Sequence, residues 1–345
     1  MVRSLLPEEF VERAQETPVL DVRSPGEYRL GHLPQAISFP LFNDQERAEV
    51  GTLYKQVGQM EAVERGLEIV GGKMREMFAQ GLGYAKEGKL LVHCWRGGKR
   101  SESVANLLAV AGLDVAVLKG GYKAYRNWVL GKFAVPEQFL VLGGLTGSGK
   151  TRVLHRLQAL GQAVLDIEDR AAHRGSAFGR LGQNRYVAPQ QFENEMAQDL
   201  HLLHGRSIWL EDESRVLGGL ILPPKLWEQK QAAPVFFIEI PDEERVRLLM
   251  EDYGSLDHGG VASSINKISE KLGGLRTKQA LEALESNQGE VLTRMLLDYY
   301  DKLYLNSLRE KPKETAVHHL TFDRFDLDEI ATALLEKAHS LGYAI

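Results

Sequence analysis

Two short segments of this sequence carry residue types that could do chemistry. Cys94 lies in the segment His-Cys-Trp-Arg-Gly-Gly-Lys-Arg-Ser, which spans residues 93–101. Fifty residues later, residues 144–151 read Gly-Leu-Thr-Gly-Ser-Gly-Lys-Thr. The first pattern is typical of a loop that stabilises a thiolate, and the second is typical of a loop that binds phosphate.

The residues around Cys94 favour a reactive thiol. Backbone N–H groups of a glycine-containing turn and of a following helix N-terminus stabilise negative charge, which lowers the pKa of a thiol. The alternative is that Cys94 is a small buried hydrophobic residue. We expect the anion loop around the thiol to comprise Trp95, Arg96, Gly97, Gly98, Lys99 and Arg100.

The second segment matches the complete G-x-x-x-x-G-K-T phosphate-loop pattern. In this pattern the loop N–H groups and the helix dipole bind phosphate oxygens, and Lys150 adds positive charge. Thr151 could bind a metal ion such as Mg2+, if a metal is used. The pattern indicates a diphosphate or triphosphate without specifying a nucleotide. The expected phosphate-binding residues are Gly144, Thr146, Gly147, Ser148, Gly149, Lys150 and Thr151.

A run of acidic residues, Glu211, Asp212 and Glu213, follows the apolar segment at residues 207–210. At the end of a strand they could hold a metal ion or act as an acid or base. The alternative is that they are ordinary solvated residues.

The composition limits the classes of protein that the chain can belong to. With 345 residues, 43% of them hydrophobic and 26% charged, it is expected to form two folded domains. The net charge of -5 gives no overall attraction to nucleic acid but leaves a local basic surface possible. We expect a cytoplasmic protein without a membrane span, because the sequence has one cysteine, no signal-peptide pattern and no apolar run of membrane length.

Strands alternate with helices along the chain, which predicts an α/β fold with parallel sheets. An N-terminal domain over residues 1–130 precedes a phosphate-loop α/β domain with a helical C-terminal part over residues 136–345. Strands are predicted at 19–22, 89–93, 115–118, 139–144, 163–167, 207–210, 234–240 and 317–322. Helices are predicted at 61–86, from 101 or 102 to 111, and at 242–252, 276–286, 288–308 and 326–341.

The first 128 residues resemble a rhodanese domain. The likeness is carried by residues 21–28, 31–37, 94–100 and 118–122, with Trp128 after them. It implies that Cys94 is the nucleophile and carries sulfur or selenium as a persulfide-type intermediate. Phosphatases of related fold also use a cysteine loop that ends in arginine, but Trp95 and the doubled glycine fit a sulfurtransferase better. Lys99 stands where many rhodaneses have arginine, so either Lys99 or Arg100 could close the loop.

The whole chain resembles the bacterial tRNA 2-selenouridine synthase family, in which a rhodanese domain is fused to a phosphate-loop domain. In the second half the likeness lies in residues 174–182, 189–194, 211–215, 251–254, 271–274 and 297–300. It implies that wobble 2-thiouridine in tRNA is S-geranylated with geranyl diphosphate and then converted to 2-selenouridine with selenophosphate. The resemblance implies no firmly bound cofactor.

On this interpretation the phosphate loop holds the diphosphate, and further residues bind the tRNA and the prenyl chain. The candidates for tRNA or diphosphate contacts are Arg170, Arg174, Arg180, Arg185 and Arg215, with Glu211 and Asp212 beside them. An apolar slot for the geranyl chain could involve Phe178, Phe192 or Trp209, although such residues more often belong to the core.

Two other functions remain open at this point. An ATP-dependent tRNA sulfurtransferase or kinase would hydrolyse nucleotide, with Glu211 or Asp212 as a metal ligand. A non-catalytic regulator would bind nucleotide or tRNA without turnover and sense oxidants through Cys94.

Overall fold

The chain divides into two compact units. A computed structural model describes residues 2–176, 178–181, 185–253 and 258–345, without the side chain of Tyr253. The first unit comprises Met1–Lys132 with Ala188–Gln198, and the second comprises Phe133–Val187 with Asp199–Ile345. The segment Ala188–Gln198 therefore groups with the first unit, whereas the sequence analysis assigned it to the second domain.

The first unit is built on a parallel sheet. Its strands are β1 (Arg3–Leu5), β2 (Val19–Asp21), β3 (Ile37–Ser38), β4 (Lys89–His93) and β5 (Asp114–Leu118), in the order β1-β5-β4-β2-β3. Its helices are α1 (Pro7–Ala14), α2 (Pro25–Leu30), α3 (Asp44–Gln56), α4 (Gln59–Gly71), α5 (Met74–Tyr84), α6 (Lys99–Ala109) and α7 (Gly121–Lys132).

The central strand of this sheet explains where Cys94 lies. Leu90, Leu91 and Val92 are buried on both faces of β4, as expected for an apolar run in a parallel sheet. Cys94 follows the carboxyl end of β4, the edge at which ligands of open α/β sheets bind. The prediction of one helix over residues 61–86 was wrong. The chain breaks between α4 and α5 because Gly71 and Gly72 have low helix propensity.

The second unit contains the other parallel sheet. The strands are β6 (Gln138–Gly144), β7 (Ala163–Leu165), β8 (Ser207–Glu211), β11 (Val235–Glu239) and β12 (Val317–Thr321), in the order β12-β11-β6-β8-β7, with β9 (Val216–Leu217) and β10 (Leu220–Ile221) as an antiparallel pair. The helices are α8 (Lys150–Ala159), α9 (Ile167–Ala171), α11 (Pro224–Ala232), α12 (Asp242–Tyr253), α13 (His258–Lys267), α14 (Ser269–Leu272), α15 (Gly274–Glu285), α16 (Gly289–Arg309) and α17 (Leu327–Ser340). Helix α10 (Pro189–Leu203) belongs partly to each unit.

Among the described residues of the second unit, two apolar clusters stabilise the fold. One packs α8 and α17 against the sheet, with Leu154, Trp209 and Leu334 fully buried. The other lies among α13, α15 and α16 and forms the core of the helical part. The predicted strand over residues 163–167 ends at Leu165, because the Asp166 carboxylate accepts the Asp169 N–H at 2.8 Å and starts α9.

The predicted fold class is confirmed, since both parallel sheets and the helical C-terminal part are present. Within the described ranges, every helix is too short or too polar to pass through a bilayer.

Candidate functional site

The thiol loop joins β4 to α6 and places Cys94 at the N-terminus of that helix. The Gly98 N–H donates to the Cys94 Sγ at 3.5 Å, and the Ser101 hydroxyl lies 3.2 Å from the same sulfur. The cysteine is only 3% exposed. The sulfur therefore sits in a small polar pocket formed by its own loop.

The surroundings of Cys94 favour the thiolate. Burial by itself raises the pKa of Cys94, but the Ser101 hydroxyl, the Gly98 N–H and the charge of Arg100 outweigh it and bring the pKa below its usual value. Arg100 Nη1 donates to Glu27 Oε2 at 2.9 Å, whereas Lys99 is exposed. Of the two candidates left open by the sequence, Arg100 is the one whose charge acts on the thiol.

Close backbone packing fixes the shape of this loop. Gly97 has φ +64°, and a Cβ atom there would lie 2.5 Å from the Leu118 carbonyl oxygen. The Tyr122 N–H donates to the Cys94 carbonyl at 2.8 Å. The ring of Trp95 lies against that of Tyr122 with 5.7 Å between centroids, while Arg96 is exposed. Glycine is therefore required at position 97 by its backbone conformation and by the lack of space.

The phosphate loop joins β6 to α8. Gly149 has φ +76°, and a Cβ atom there would lie 2.4 Å from the ring of Phe325. Lys150 Nζ donates to the Gly144 carbonyl at 2.8 Å. Among the described residues, the buried Ser148 hydroxyl has no hydrogen-bond partner. A phosphate oxygen would give this hydroxyl an acceptor.

A buried arginine holds the phosphate loop from behind. Arg245 is 2% exposed and donates from Nε to the Thr146 carbonyl at 2.9 Å. Its guanidinium also binds Asp242 and Asp301 at 2.8 and 2.5 Å. Arg245 was not among the predicted site residues, since it lies 99 residues along the chain from Thr146 of the loop that it supports.

Asp212 belongs to a buried charge cluster. Its carboxylate accepts hydrogen bonds from Lys230 at 2.9 Å, Lys311 at 2.9 Å and the Tyr304 hydroxyl at 2.8 Å. The Tyr304 oxygen in turn accepts the Gly144 N–H at 3.3 Å. Burial alone raises the pKa of Asp212, but the two lysines outweigh it and hold the pKa far below its usual range. The cluster therefore stabilises the start of the phosphate loop.

Glu211 is buried in the junction between β8 and α9. One of its oxygens accepts the Ile167 N–H at 3.1 Å, and burial raises the pKa of Glu211 far above its usual range. Asp212 is already neutralised by two lysines. The second Glu211 oxygen is buried without a hydrogen-bond partner among the described residues, and the charges of Asp166 and Glu168 also raise the pKa of Glu211. A role of Glu211 or Asp212 as a metal ligand, acid or base stays a prediction.

Two other carboxylates lie at the phosphate loop. Glu168 accepts the Thr151 hydroxyl at 2.9 Å, and its pKa is raised to about 8 by burial and by the charge of Glu213. Burial also raises the pKa of Glu213, against the lowering effect of Lys150. Glu213 belongs to the predicted acidic run, and its carboxylate lies close enough to Lys150 of the phosphate loop for the two charges to interact.

The phosphate loop opens into a cavity of about 850 Å³ in the second unit. Thr146, Gly147, Gly149, Lys150 and Thr151 form its polar end. The opposite walls come from α12, α13, α15 and α16 and consist largely of apolar side chains, among them Leu249, Val261, Leu284, Leu292, Leu296 and Leu297. The cavity therefore combines an anion-binding end with a hydrocarbon-binding end.

The predicted arginines are distributed over several places. Arg174 lines the cavity, whereas Arg170 forms an ion pair with Asp199, with 2.5 Å between Nε and the carboxylate. Arg180 donates to the Gly218 carbonyl at 2.8 Å. Arg185 and Arg215 are exposed. The structure thus brings one of the five, Arg174, to the cavity.

The three aromatic candidates for the apolar slot lie in three different parts of the structure. Phe178 lines the cavity and is 8% exposed. Trp209 is wrong for this role, because it lies in the core between the sheet and its helices. Phe192 is wrong as well, because it belongs to α10 within the first unit. The leucines of the helical part form most of the apolar wall instead.

Comparison with known proteins agrees with the two loops and with both sheets. Residues 6–127 match the model of the rhodanese-like domain, and residues 137–323 match that of the tRNA 2-selenouridine synthase AAA domain. A tRNA 2-selenouridine synthase from Sulfurovum sp. is 35% identical over 84% of this chain and 88% of its own length. One from Cupriavidus pinatubonensis is 38% identical over 84% and 88%, and one from Marinobacter nauticus is 35% identical over 88% and 91%.

These matches extend over both units and include the thiol loop and the phosphate loop. The chain therefore belongs to the tRNA 2-selenouridine synthase family.

Proposed function

We propose that this protein converts 2-thiouridine at the wobble position of tRNA to 2-selenouridine through an S-geranyl intermediate. The relatives named as tRNA 2-selenouridine synthases support the overall conversion and tRNA as the substrate. Geranyl diphosphate would serve the first step and selenophosphate the second.

The observation that carries the proposal is the apolar cavity behind the phosphate loop. A nucleotide presents a polar sugar and base beyond its phosphates, whereas a prenyl diphosphate presents hydrocarbon. The leucine side chains of α15 and α16 can pack against the hydrocarbon chain of a prenyl diphosphate.

The size of the cavity also suits the proposed reactants. Geranyl diphosphate and a 2-thiouracil ring have about 27 heavy atoms together. Pockets that hold ligands of drug-like size measure about 300–1,000 Å³. The cavity offers about 850 Å³.

The first step would be an alkylation at the phosphate loop. The thiocarbonyl sulfur of the base attacks C1 of the prenyl chain, the C1–O bond breaks, and diphosphate leaves with the electron pair. Lys150, the loop N–H groups and the Ser148 hydroxyl would stabilise the negative charge that develops on the diphosphate. In the second step the selenium of selenophosphate attacks C2 of the base and the geranyl thiolate leaves. Water then cleaves the Se–P bond, which releases inorganic phosphate and leaves selenium on C2.

Cys94 is our candidate for the thiol that takes part in the transfer of selenium from selenophosphate. Its lowered pKa and its contacts to Ser101 and Gly98 favour a reactive thiolate. The tRNA contacts of the predicted arginines, a use of Mg2+ and a cytoplasmic location remain predictions.

The direct test is mass spectrometry of nucleosides from tRNA containing 2-thiouridine. The tRNA is incubated with the protein and geranyl diphosphate, then with selenophosphate, and a parallel reaction contains ATP instead of geranyl diphosphate. We expect S-geranyl-2-thiouridine first and 2-selenouridine afterwards. An unchanged nucleoside with tRNA bound, or selenation that depends on ATP and not on geranyl diphosphate, would contradict the proposal.

A further inference from the structure

Alkylation of 2-thiouridine at sulfur releases the N3 proton, which a basic group must accept. When sulfur bonds to C1 of the prenyl chain and diphosphate leaves, the base carries both the new S–C bond and its N3–H. The neutral S-alkyl product forms only when the N3 proton departs. A base near the diphosphate end of the cavity would accept this proton, and its assignment rests on the proposed function.

Several titratable side chains that line the cavity are paired with other groups or are exposed to solvent. Asp212 is neutralised by two lysines, and Asp252 is paired with Arg152 at 2.6 Å. His155 is hydrogen-bonded to an aspartate at 2.8 Å, and its side chain is 58% exposed. His258 is exposed at the first residue of α13. None of these groups is both enclosed and available to accept a proton.

Among the described residues, two carboxylates remain at the polar end, and their contacts differ. Glu168 accepts the Thr151 hydroxyl at 2.9 Å and is thereby tied to the first turn of α8. Glu213 lines the cavity, and among the described residues it forms no ion pair. Lys230 anchors its backbone carbonyl at 2.8 Å. Its side chain lies over Gly175, where a Cβ atom would come within 2.3 Å of Oε2.

We propose that Glu213 is the general base that accepts the N3 proton as the thiocarbonyl sulfur attacks the prenyl carbon. One Glu213 oxygen takes the proton, the N–H bonding pair stays on the ring, and the diphosphate takes the electron pair of the breaking C1–O bond. The step needs no other reactant.

The charges that face Glu213 come from several elements. Burial raises its pKa, Lys150 of α8 and Lys230 of α11 lower it, and the neighbouring Asp212 raises it. Its charge also acts on Glu168 of α9. The balance keeps the pKa of Glu213 above its usual value, which makes it a stronger base than an exposed glutamate once it is ionised.

The test is Glu213→Gln in the full chain, measured as single-turnover geranylation of tRNA. We expect the rate to fall by about 10²- to 10⁴-fold, the usual contribution of a general base, with geranyl diphosphate binding no weaker. The wild-type rate rises with pH as Glu213 ionises, and the variant loses this rise. Glu282→Gln is the matched control, because Glu282 is exposed on α15 and paired only with Lys278 at 3.7 Å among the described ion pairs.

A second substrate separates proton transfer from a structural effect. A 5-fluoro group acidifies N3–H, so tRNA carrying 5-fluoro-2-thiouridine needs less help from a base. The defect of Glu213→Gln should therefore shrink with this substrate, whereas a structural defect would be the same for both substrates.

Three results would overturn the assignment: a Glu213→Gln rate within threefold of wild type, an equal defect with both substrates, or a large defect confined to Glu168→Gln. Failure of the wild-type protein to geranylate tRNA would instead refute the proposed function.

Discussion

Shortening the prenyl chain tests how the cavity recognises its ligand. Dimethylallyl diphosphate keeps the diphosphate but lacks five of the ten carbons of geranyl diphosphate. Both ligands would make the same contacts with Lys150 and the loop N–H groups. Only the longer chain reaches far along the leucine-lined walls of α15 and α16.

The expected difference follows from the buried hydrocarbon. At about 0.8 kcal/mol per buried methylene, five carbons contribute at most about 4 kcal/mol. Because each 1.4 kcal/mol changes affinity about tenfold, geranyl diphosphate should bind about 10²- to 10³-fold more tightly, allowing for incomplete burial.

Calorimetric titration of the full chain with diphosphate, dimethylallyl diphosphate, geranyl diphosphate and ATP measures this series. The longer chain should also give a more negative heat-capacity change, which marks burial of apolar surface. Leu296→Asn should weaken geranyl diphosphate binding about tenfold or more, because it places an amide against the chain, and should leave diphosphate binding unchanged. Equal affinities for the two prenyl diphosphates, or tighter binding of ATP than of geranyl diphosphate, would refute the reasoning.

Three further perturbations address the two loops and the charge cluster. Lys150→Ala should lose diphosphate binding and geranylation, and undiminished geranyl-tRNA formation would contradict this. Cys94→Ala should still geranylate but accumulate S-geranyl-2-thiouridine on tRNA, and 2-selenouridine formed at the wild-type rate would exclude Cys94 from selenium transfer. Asp212→Asn should lower the free energy of unfolding by about 3–5 kcal/mol at neutral pH, because it leaves two buried lysines without their anion, whereas Asp328→Asn at an exposed ion pair should cost under about 1 kcal/mol in denaturant titrations. The depressed pKa of Asp212 means that its wild-type contribution is present above the usual aspartate pKa and is lost only as the pH falls well below it.

The sequence was sufficient to predict the two loops because each is a local device. A strand, a loop of a few residues and a helix N-terminus position Cys94, and the same arrangement positions Lys150. Glycine spacing and strand hydrophobicity predict such strand–loop–helix arrangements, since all their parts lie within about twenty residues.

The cavity could not be predicted in the same way. Its apolar wall joins Leu249, Leu284 and Leu292 from three helices, and their periodicity indicates only that each helix has a buried face. The wrong prediction for Trp209 has the same cause, because its apolar character predicts burial but does not predict which apolar cluster it joins. In the acidic run after β8, Glu211 turns into the protein, Asp212 turns to two lysines and Glu213 turns to the cavity. Three adjacent carboxylates thus acquire different environments that composition alone does not distinguish.

Cys94 is a single and nearly buried thiol, which affects how long a sulfur or selenium atom bound to it would be retained. Sulfur or selenium bound to a thiol is readily displaced when a second thiol attacks. These 345 residues contain no second cysteine, and the 3% exposure of Cys94 restricts attack by large thiols from solution. A chalcogen placed on Cys94 would therefore be kinetically insulated, and its release would depend on an acceptor small enough to enter the loop. Because the chain has a single thiol, the intact mass of the protein would report directly the fraction of molecules that carry the atom.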